Sequence, residues 1–463
     1  MTIKFCGATR EVTGSCHLIT LDSGYKILLD CGLYQGNDPA WEGFNENFLF
    51  DPAKIDCLIV SHAHIDHTGR IPGLWRQGFR GEIFSTHATR SLCAIMLQDS
   101  AHIQESDAAY HRKKGHKDVQ PLYTAADVTA VMQNFTGLSY DRWHYVTEGV
   151  KLYFADSGHI LGSASVSLEI TDGDKVTRVG FTGDIGRPNR PILRDPIPMP
   201  QMDYLITEST YGDKEHSSAP AELGQLLDIV TEVCIKNRGK LLIPAFSVGR
   251  TQEVVYMLDQ LEKAGHLPSI PVFVDSPLAV NATTIFEQHP ECFDAELQEH
   301  LLNDPNPFGF KNLFYIRSGE ESKRLNHLEE PAIIIAASGM MNSGRILHHL
   351  RNNISNPHCA VLIVGHCSPN TPGGQLLNGA EELNIFGQKY EVKIKTHVMP
   401  SFSAHGDRKE MLAFLQNQQK SVKHLWLVHG DYETQEAWKA YLKTEGHFTC
   451  PIDIPMLGES FNI

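Results

Sequence analysis

Four side chains able to hold a metal ion fall within six consecutive positions, in the stretch Ser61-His62-Ala63-His64-Ile65-Asp66-His67, directly after the apolar run Ile55-Asp56-Cys57-Leu58-Ile59-Val60. Neutral imidazoles and carboxylates are the donors that zinc and similar divalent ions prefer, and a strand ending in a tight loop can aim several of them at one point. Spread along a helix, they could not all converge. The chain carries 24 histidines, so any one of them is expected to be an ordinary surface or hydrogen-bonded residue. What stands out is the concentration of ligand chemistry after a buried strand, which a solvated loop has no reason to build. The chemistry it suggests is metal-assisted hydrolysis, which needs further ligands and a coordination position left open for water.

Three such ligands are available downstream. His159 lies in Asp156-Ser157-Gly158-His159-Ile160-Leu161-Gly162-Ser163-Ala164, where small neighbours let backbone and ligand approach closely. Asp184 follows Val179-Gly180-Phe181-Thr182-Gly183, and His429 follows Leu425-Trp426-Leu427-Val428 and precedes Gly430-Asp431. These read as residues at strand ends, and strands ending in metal-type residues would converge on one rim of a sheet.

With these residues in place the chain resembles the metallo-β-lactamase superfamily over essentially its whole length. Asp30 in Leu28-Leu29-Asp30-Cys31-Gly32 is similar to the first motif of that superfamily, positions 62 to 67 to the second, His159 to the third and Asp184 to the fourth. Glu208 in Thr207-Glu208-Ser209-Thr210-Tyr211-Gly212, His405 in Ser401-Phe402-Ser403-Ala404-His405-Gly406-Asp407, and His429 in Val428-His429-Gly430-Asp431 look like the A, B and C motifs of the β-CASP nucleases. That branch includes the cleavage nuclease of mRNA 3′-end processing.

The resemblance implies an α/β fold: an αββα metallo-β-lactamase sandwich with an inserted α/β β-CASP domain built on a mainly parallel sheet. It implies one zinc on His62, His64 and His159, a second on Asp66, His67 and His429, and Asp184 bridging them; manganese or iron are alternative occupants of the same donors. The implied reaction is hydrolysis of RNA phosphodiester bonds by a dinuclear metal-bound hydroxide, with Asp66, Glu208 and His405 as catalytic residues. In it His405, oriented by Glu208, donates or relays the proton needed by the departing 3′ oxygen. Asp30 is expected to accept a hydrogen bond from a ligand histidine and fix its tautomer. Histidine rather than valine at position 429 favours the RNA-acting branch, so the expected partner is RNA, single-stranded, and the expected assembly a homodimer.

Substrate contacts are expected from two segments that place small residues between a strand and a helix, a geometry whose backbone amides can bind phosphate. They are Pro244-Ala245-Phe246-Ser247-Val248-Gly249-Arg250, and Ala337-Ser338-Gly339-Met340-Met341-Asn342-Ser343-Gly344-Arg345. Ser338, Gly339, Met340 and Ser343 are the expected contacts, with Arg250 and Arg345 adding bidentate ones. Gly365-His366-Cys367-Ser368-Pro369-Asn370-Thr371-Pro372-Gly373 departs from the family pattern at His366, Asn370 and Pro372, which leaves substrate choice more open than the metal site. The competing readings are hydrolysis of another ester or amide, DNA cleavage, and a non-catalytic scaffold in an RNA-processing complex. The scaffold reading is disfavoured because no ligand is missing.

The elements that must position these residues start as short strands: 3 to 7, 15 to 21 and 26 to 30. Helices are expected over 72 to 77 and over 86 to about 113, a region without Gly or Pro, and strands return over 150–154, 164–170 and 176–182. Past Glu208 helix-like stretches (219–235, 251–263) alternate with strand-like ones (240–244, 272–274, 332–337), which argues for a parallel α/β layer. Since His405 and His429 must return to the centre at His62, the expected domains are 1–208, an insertion at 209–394, and 395–463.

At 463 residues two domains are the prior expectation. The N-terminus shows no basic-then-apolar leader, no apolar run approaches a membrane span, and a cytoplasmic protein with neither leader nor appended domain is expected. The ten cysteines show no CxxC spacing and are expected to be reduced core residues. The net charge of −15 is the wrong sign for a protein that coats nucleic acid, though less so for a nuclease whose acidic ligands face cations. The most basic stretch, 111 to 117, is expected to be a solvated helix end.

Overall fold

The computed structural model describes residues 1–36, 38–115, 119–216, 222–365, 367–399 and 403–463. The chain divides into two compact units, Met1–Glu215 with Ala404–Ile463, and His216–Ser403. Both seams lie later in the sequence than the motifs suggest, for local reasons. Past Glu208 the chain stays fastened to its own unit: Ser209 Oγ donates to Val428 O at 2.6 Å, and Glu215 pairs with Arg408 at 2.7 Å. At the other seam, Lys395–Val398 is a strand of the second unit's sheet, paired with Ala360–Ile363.

The first unit holds strands β1 (Thr2–Phe5), β2 (His17–Thr20), β3 (Lys26–Leu29), β4 (Cys57–Ile59), β5 (Glu82–Thr86), β6 (Phe135–Leu138), β7 (Trp143–Thr147), β8 (Val150–Asp156), β9 (Ala164–Asp172), β10 (Lys175–Phe181) and β11 (Tyr204–Thr207). Three more strands of this unit, His424–Leu427, Ile452–Asp453 and Ser460–Asn462, come from the C-terminal segment. Two seven-stranded sheets result. One runs Ser460–Asn462, then β1 to β6 in sequence order; the other runs Ile452–Asp453, His424–Leu427, β11, β10, β9, β8, β7. Alternate residues of each strand point between the sheets, as the period of two requires. Ile3, Phe5, Ile27 and Leu29 thus meet Leu152, Phe154, Val166, Val179, Phe181 and Trp426 in one core. A second core, including Leu205, Leu427, Met411 and Trp438, joins the other sheet to the helices Arg408–Leu415 and Tyr432–Thr444.

The helix His87–Lys113 starts where Thr86 Oγ1 accepts from Thr89 N and runs to the first glycine of the region, Gly115. Its end, His111 to Lys114, is exposed, as expected for a solvated terminus; His116 and Lys117 of that basic stretch lie outside the described residues. All ten cysteines are free thiols, nine of them buried. No helix among the described residues is long and apolar enough to cross a membrane.

The second unit is built on β12 (Lys240–Pro244), β13 (Val272–Val274), β14 (Leu313–Tyr315), β15 (Ala332–Ala336), β16 (Ala360–Ile363), a hairpin β17 (Glu382–Ile385) and β18 (Gln388–Glu391), and β19 (Lys395–Val398). Its six-stranded sheet, in the order β14, β13, β15, β12, β16, β19, is parallel throughout. β12 and β15 are buried at every position, the continuous burial of a parallel strand covered on both faces. The helix expected over 219–235 is described from Glu222 to Val230 and passes into a π-type turn at Thr231–Lys236.

Candidate metal centre

Parallel pairing brings the ends of the ligand-bearing strands together. β3 pairs with β4 so that Leu29 lies beside Ile59, which puts Asp30 and the 61–67 loop at one sheet edge. In the other sheet β10, β11 and His424–Leu427 run parallel, Phe181 beside Ile206 and Thr207 beside Leu427. Asp184, Glu208 and His429 therefore leave three neighbouring strands at the same rim. Two of the residues turn there with left-handed backbone, Asp30 at φ 55° and His429 at φ 55°. Non-glycine residues in that region cost roughly 1–3 kcal/mol and persist where surrounding structure fixes them. Gly32 lets the Asp30 turn pass against the 61–67 loop, since a Cβ there would overlap Asp66 O.

The donor atoms form two groups. His62, His64, His159 and Asp184 lie with their ligand atoms within 4.8 Å of one another, and so do Asp66, His67 and His429. His64 Nδ1 is 3.0 Å from His62 Nε2 and 3.1 Å from His159 Nε2. His67 Nε2 is 3.1 Å from His429 Nε2, which is 3.4 Å from Asp66 Oδ2. Asp184 faces both groups: Oδ2 is 3.5 Å from His62 Nε2 and 3.4 Å from His159 Nε2, while Oδ1 is 3.3 Å from His67 Nε2 and 3.6 Å from His429 Nε2.

Hydrogen bonds behind the rings fix what these nitrogens present. His67 Nδ1 donates to Asp30 Oδ2 at 2.6 Å, and His159 Nδ1 to Ala404 O at 3.3 Å. Ser61 Oγ donates to Asp30 Oδ2 at 2.8 Å and so accepts from His62 Nδ1 at 3.1 Å. Thr210 Oγ1 donates to His429 O at 3.2 Å and accepts from His429 Nδ1 at 3.0 Å. With each Nδ1 carrying the proton, four Nε2 lone pairs point inward at van der Waals distance or closer, beside a buried Asp184 Oδ1 that accepts no well-formed hydrogen bond. Facing lone pairs repel unless a cation lies among them, so the donor set fits metal ions.

The titration directions divide the donor rings into two kinds. Burial pushes His62 and His159 far below the usual imidazole range and His64 down to about 4, keeping them neutral. Burial opposes charge on His67 and His429 as well, but the carboxylates, Asp184 foremost, outweigh it and raise both. Burial would raise Asp184 and Asp66 too, yet the surrounding histidines hold each carboxyl well below its ordinary value.

Beside the centre, His405 Nδ1 donates to Glu208 Oε1 at 3.3 Å, and His405 Nε2 lies 3.9 Å from Asp184 Oδ2. Glu208 is buried and locked by Ile185 N at 2.5 Å and Thr210 N at 3.3 Å. Burial lowers the His405 imidazole, but the Glu208 carboxylate outweighs it and the ring is raised to about 9. The His405 loop is knitted to the Asp184 loop by an antiparallel bridge between Gly186 and His405, with Gly406 N donating to Ile185 O at 2.8 Å.

In the second unit, both segments expected to meet substrate do connect a parallel strand to a helix: β12 to Arg250–Lys263, and β15 to Ile346–Asn353. Ser338 Oγ donates to Asn342 Oδ1 at 2.7 Å, Ser343 N donates to Ser338 Oγ at 3.3 Å, Gly339 packs near Phe246, and Met340 O accepts from Gly373 N at 3.2 Å. Both arginines have carboxylate partners within the unit. Arg345 donates through Nη1 to Asp275 Oδ1 at 2.6 Å and through Nη2 to Arg317 O at 2.9 Å, and Arg250 is buried against Glu253. Asp275 ends β13 in full burial, where its charge requires such partners. Of the departing segment, Pro372 begins the helix Pro372–Leu377, Asn370 lies in the turn before it, and His366 lies outside the described residues. Sequence reasoning gave no role to Ser61 or Thr210. Their only signal is adjacency to ligand-type residues.

Comparison with known proteins finds three matching domains, the third of which spans the seam at Ser403. Residues 9–215 match the model of the metallo-beta-lactamase superfamily, 251–376 that of the Beta-Casp domain, and 389–455 that of the Zn-dependent metallo-hydrolase RNA specificity domain. The chain is 35% identical over 434 residues to Ribonuclease TTHA0252 of Thermus thermophilus, covering 94% of each. It is 31% identical over 433 residues to an RNase J-like protein of Methanocaldococcus jannaschii, covering 93% of this chain and 92% of that one. It is 30% identical over 440 residues to the transcription termination factor FttA of the same organism, covering 93% of this chain but 67% of that longer protein. Among solved structures, a protein of unknown function from Enterococcus faecalis shares the fold, with a TM-score of 0.55, 11% identity and 99% of both chains covered.

Proposed function

Because the chain belongs to the β-CASP family of the metallo-β-lactamase superfamily, and is thus a metal-dependent hydrolase, we propose that it is a zinc-dependent ribonuclease acting on single-stranded RNA. The observation that carries this reading is the pairing of two donor groups across Asp184 with the Glu208–His405 pair at their side. His62, His64 and His159 would hold one cation, Asp66, His67 and His429 the other, and Asp184 both. Bound there, two cations supply Lewis acidity toward phosphate oxygens and lower the pKa of coordinated water to near neutrality.

The chain's own residues supply the rest. Asp30, Ser61, Thr210 and Ala404 O hold the ligand rings so that each Nε2 is presented as a lone pair. Asp66, with 17% of its side chain exposed against 1% for His67 and 2% for Asp184, marks the side from which water and substrate arrive. Glu208 fixes His405 through Nδ1 and stabilises its protonated form, leaving Nε2–H toward the centre. From there His405 gives its proton to the departing 3′ oxygen, which would otherwise leave as an alkoxide. Relatives named as ribonucleases, and the match over 389–455, support RNA over DNA.

The test is incubation of the purified chain with 5′-labelled and 3′-labelled single-stranded RNA and DNA, with and without chelator. Chelator-sensitive cleavage of RNA in preference to DNA is the expected result. Intact RNA in every lane, with no zinc by elemental analysis, would remove the proposal.

A further inference from the structure

Four of the five ligand histidines are braced at Nδ1, while His64 presents its Nδ1 to the centre, and the four braces are not alike. His67 leans on the Asp30 carboxylate, His62 on Ser61 backed by the same carboxylate, and His159 on a backbone carbonyl. His429 leans on a neutral hydroxyl, that of Thr210, at 3.0 Å. The hydroxyl's own proton goes to His429 O at 3.2 Å, so its lone pair must receive the ring N–H. This ties side chain and backbone of one left-handed residue to a single atom. The flanking residues hold the two segments in place: Ser209 N donates to His429 O at 3.3 Å, and a Cβ on Gly430 would press against Ser209 Oγ at 2.7 Å. The Thr210 N–H, separately, donates to Glu208 Oε2 at 3.3 Å.

We infer that Thr210 is a positioning residue for the Asp66, His67 and His429 cation site: its hydroxyl fixes His429 Nε2 as the inward donor and so sets the affinity of that site alone. The inference rests on the two-cation reading above, but not on RNA being the substrate. A threonine-to-valine change keeps the shape and the backbone N–H to Glu208, and removes the acceptor of the ring proton together with one donor to His429 O, which keeps Ser209 N at 3.3 Å. His429 Nδ1–H is then buried without a partner, and the ring can regain one only by turning or by moving its proton to Nε2, which blocks coordination.

The experiment titrates the metal-free chain with zinc in competition with a chromophoric chelator, and with cobalt(II) read by its visible absorption, for wild type, T210V and T210S. Loss of an outer partner of a ligand histidine costs about 10- to 100-fold in metal affinity. The expected result is that T210V weakens one equivalent by that factor and leaves the other unchanged, while T210S, which restores the hydroxyl, binds both as wild type does. Wild-type binding of both equivalents by T210V would overturn the inference, as would T210S binding as weakly as T210V. If circular dichroism shows T210V unfolded, T210A replaces it, and equal affinities for T210A and T210S would overturn the inference in the same way. Because no RNA enters the titration, failure of the ribonuclease reading leaves this outcome separately legible.

Discussion

Replacing Asp30 by asparagine removes one charge and almost no volume, and its consequences can be worked through donor by donor. The fully buried carboxylate accepts from Ser61 N at 2.8 Å through Oδ1, and through Oδ2 from Ser61 Oγ at 2.8 Å, His67 Nδ1 at 2.6 Å and Ser15 Oγ at 3.3 Å. An asparagine that keeps its oxygen toward Ser61 N turns an NH2 group toward the other three donors. Both serine hydroxyls can rotate to accept. The His67 Nδ1–H can comply only by moving its proton to Nε2, where it points into the donor group shared with His429 and Asp66. Losing a hydrogen bond to a charged group costs about 1.5–3 kcal/mol of stability. Losing the outer partner of a ligand histidine costs about 10- to 100-fold in metal affinity, or roughly 1.4–2.7 kcal/mol. Competition titration of the metal-free D30N chain with zinc, together with thermal melts with and without chelator, reads both effects. If D30N bound two equivalents with wild-type affinity and melted unchanged, the reasoning that Asp30 fixes the His67 tautomer would be refuted.

His405→Ala is expected to keep both cations and lose about 10²- to 10⁴-fold in cleavage rate, whereas His64→Ala loses metal; a H405A chain with an empty centre would show that His405 is a ligand instead of a proton donor. His17 is buried between Phe5 and Phe181 with neither ring nitrogen paired, and burial lowers its pKa to about 3. The unfolded chain therefore binds the extra proton between about pH 6.5 and 3, so stability is complete above that window and falls as pH drops through it, by up to about 1.4 kcal/mol per pH unit. His17→Phe should flatten this slope in urea denaturation measured across the window, and an unchanged slope would contradict the assignment. Asp275→Ala leaves Arg345 and His349 without the carboxylate they both pair with at 2.6 Å, at a cost of about 3–5 kcal/mol. Limited proteolysis should then cut first within 216–403, and wild-type resistance there would speak against the network.

The parts of the fold that the sequence made legible are those decided locally. The helix ending at Lys113 is readable because no glycine or proline interrupts it before Gly115, and β12 and β13 because short apolar runs end in Pro244 and Asp275. The ligand candidates are readable for a related reason: a histidine or aspartate directly after a buried strand is out of place unless something binds it. What stayed hidden depends on which strand ends become neighbours. Nothing about the type of Thr210 distinguishes it until β11 lies beside His424–Leu427 and sets it against a histidine 219 positions away. The pairing of Arg345 with Asp275 stayed hidden as well, because the strand–loop–helix pattern around Arg345 is local while Asp275 follows a different strand 70 positions earlier.

The proposed activity requires a dinuclear centre that cuts RNA. The most direct measurement is a zinc titration of the metal-free chain in which bound zinc per chain and cleavage of a labelled single-stranded RNA are followed in the same samples. Cleavage is expected to stay low through the first equivalent, to rise with the second and to be lost again on chelation. Cleavage that is independent of zinc, or that saturates at one equivalent, would contradict the proposal.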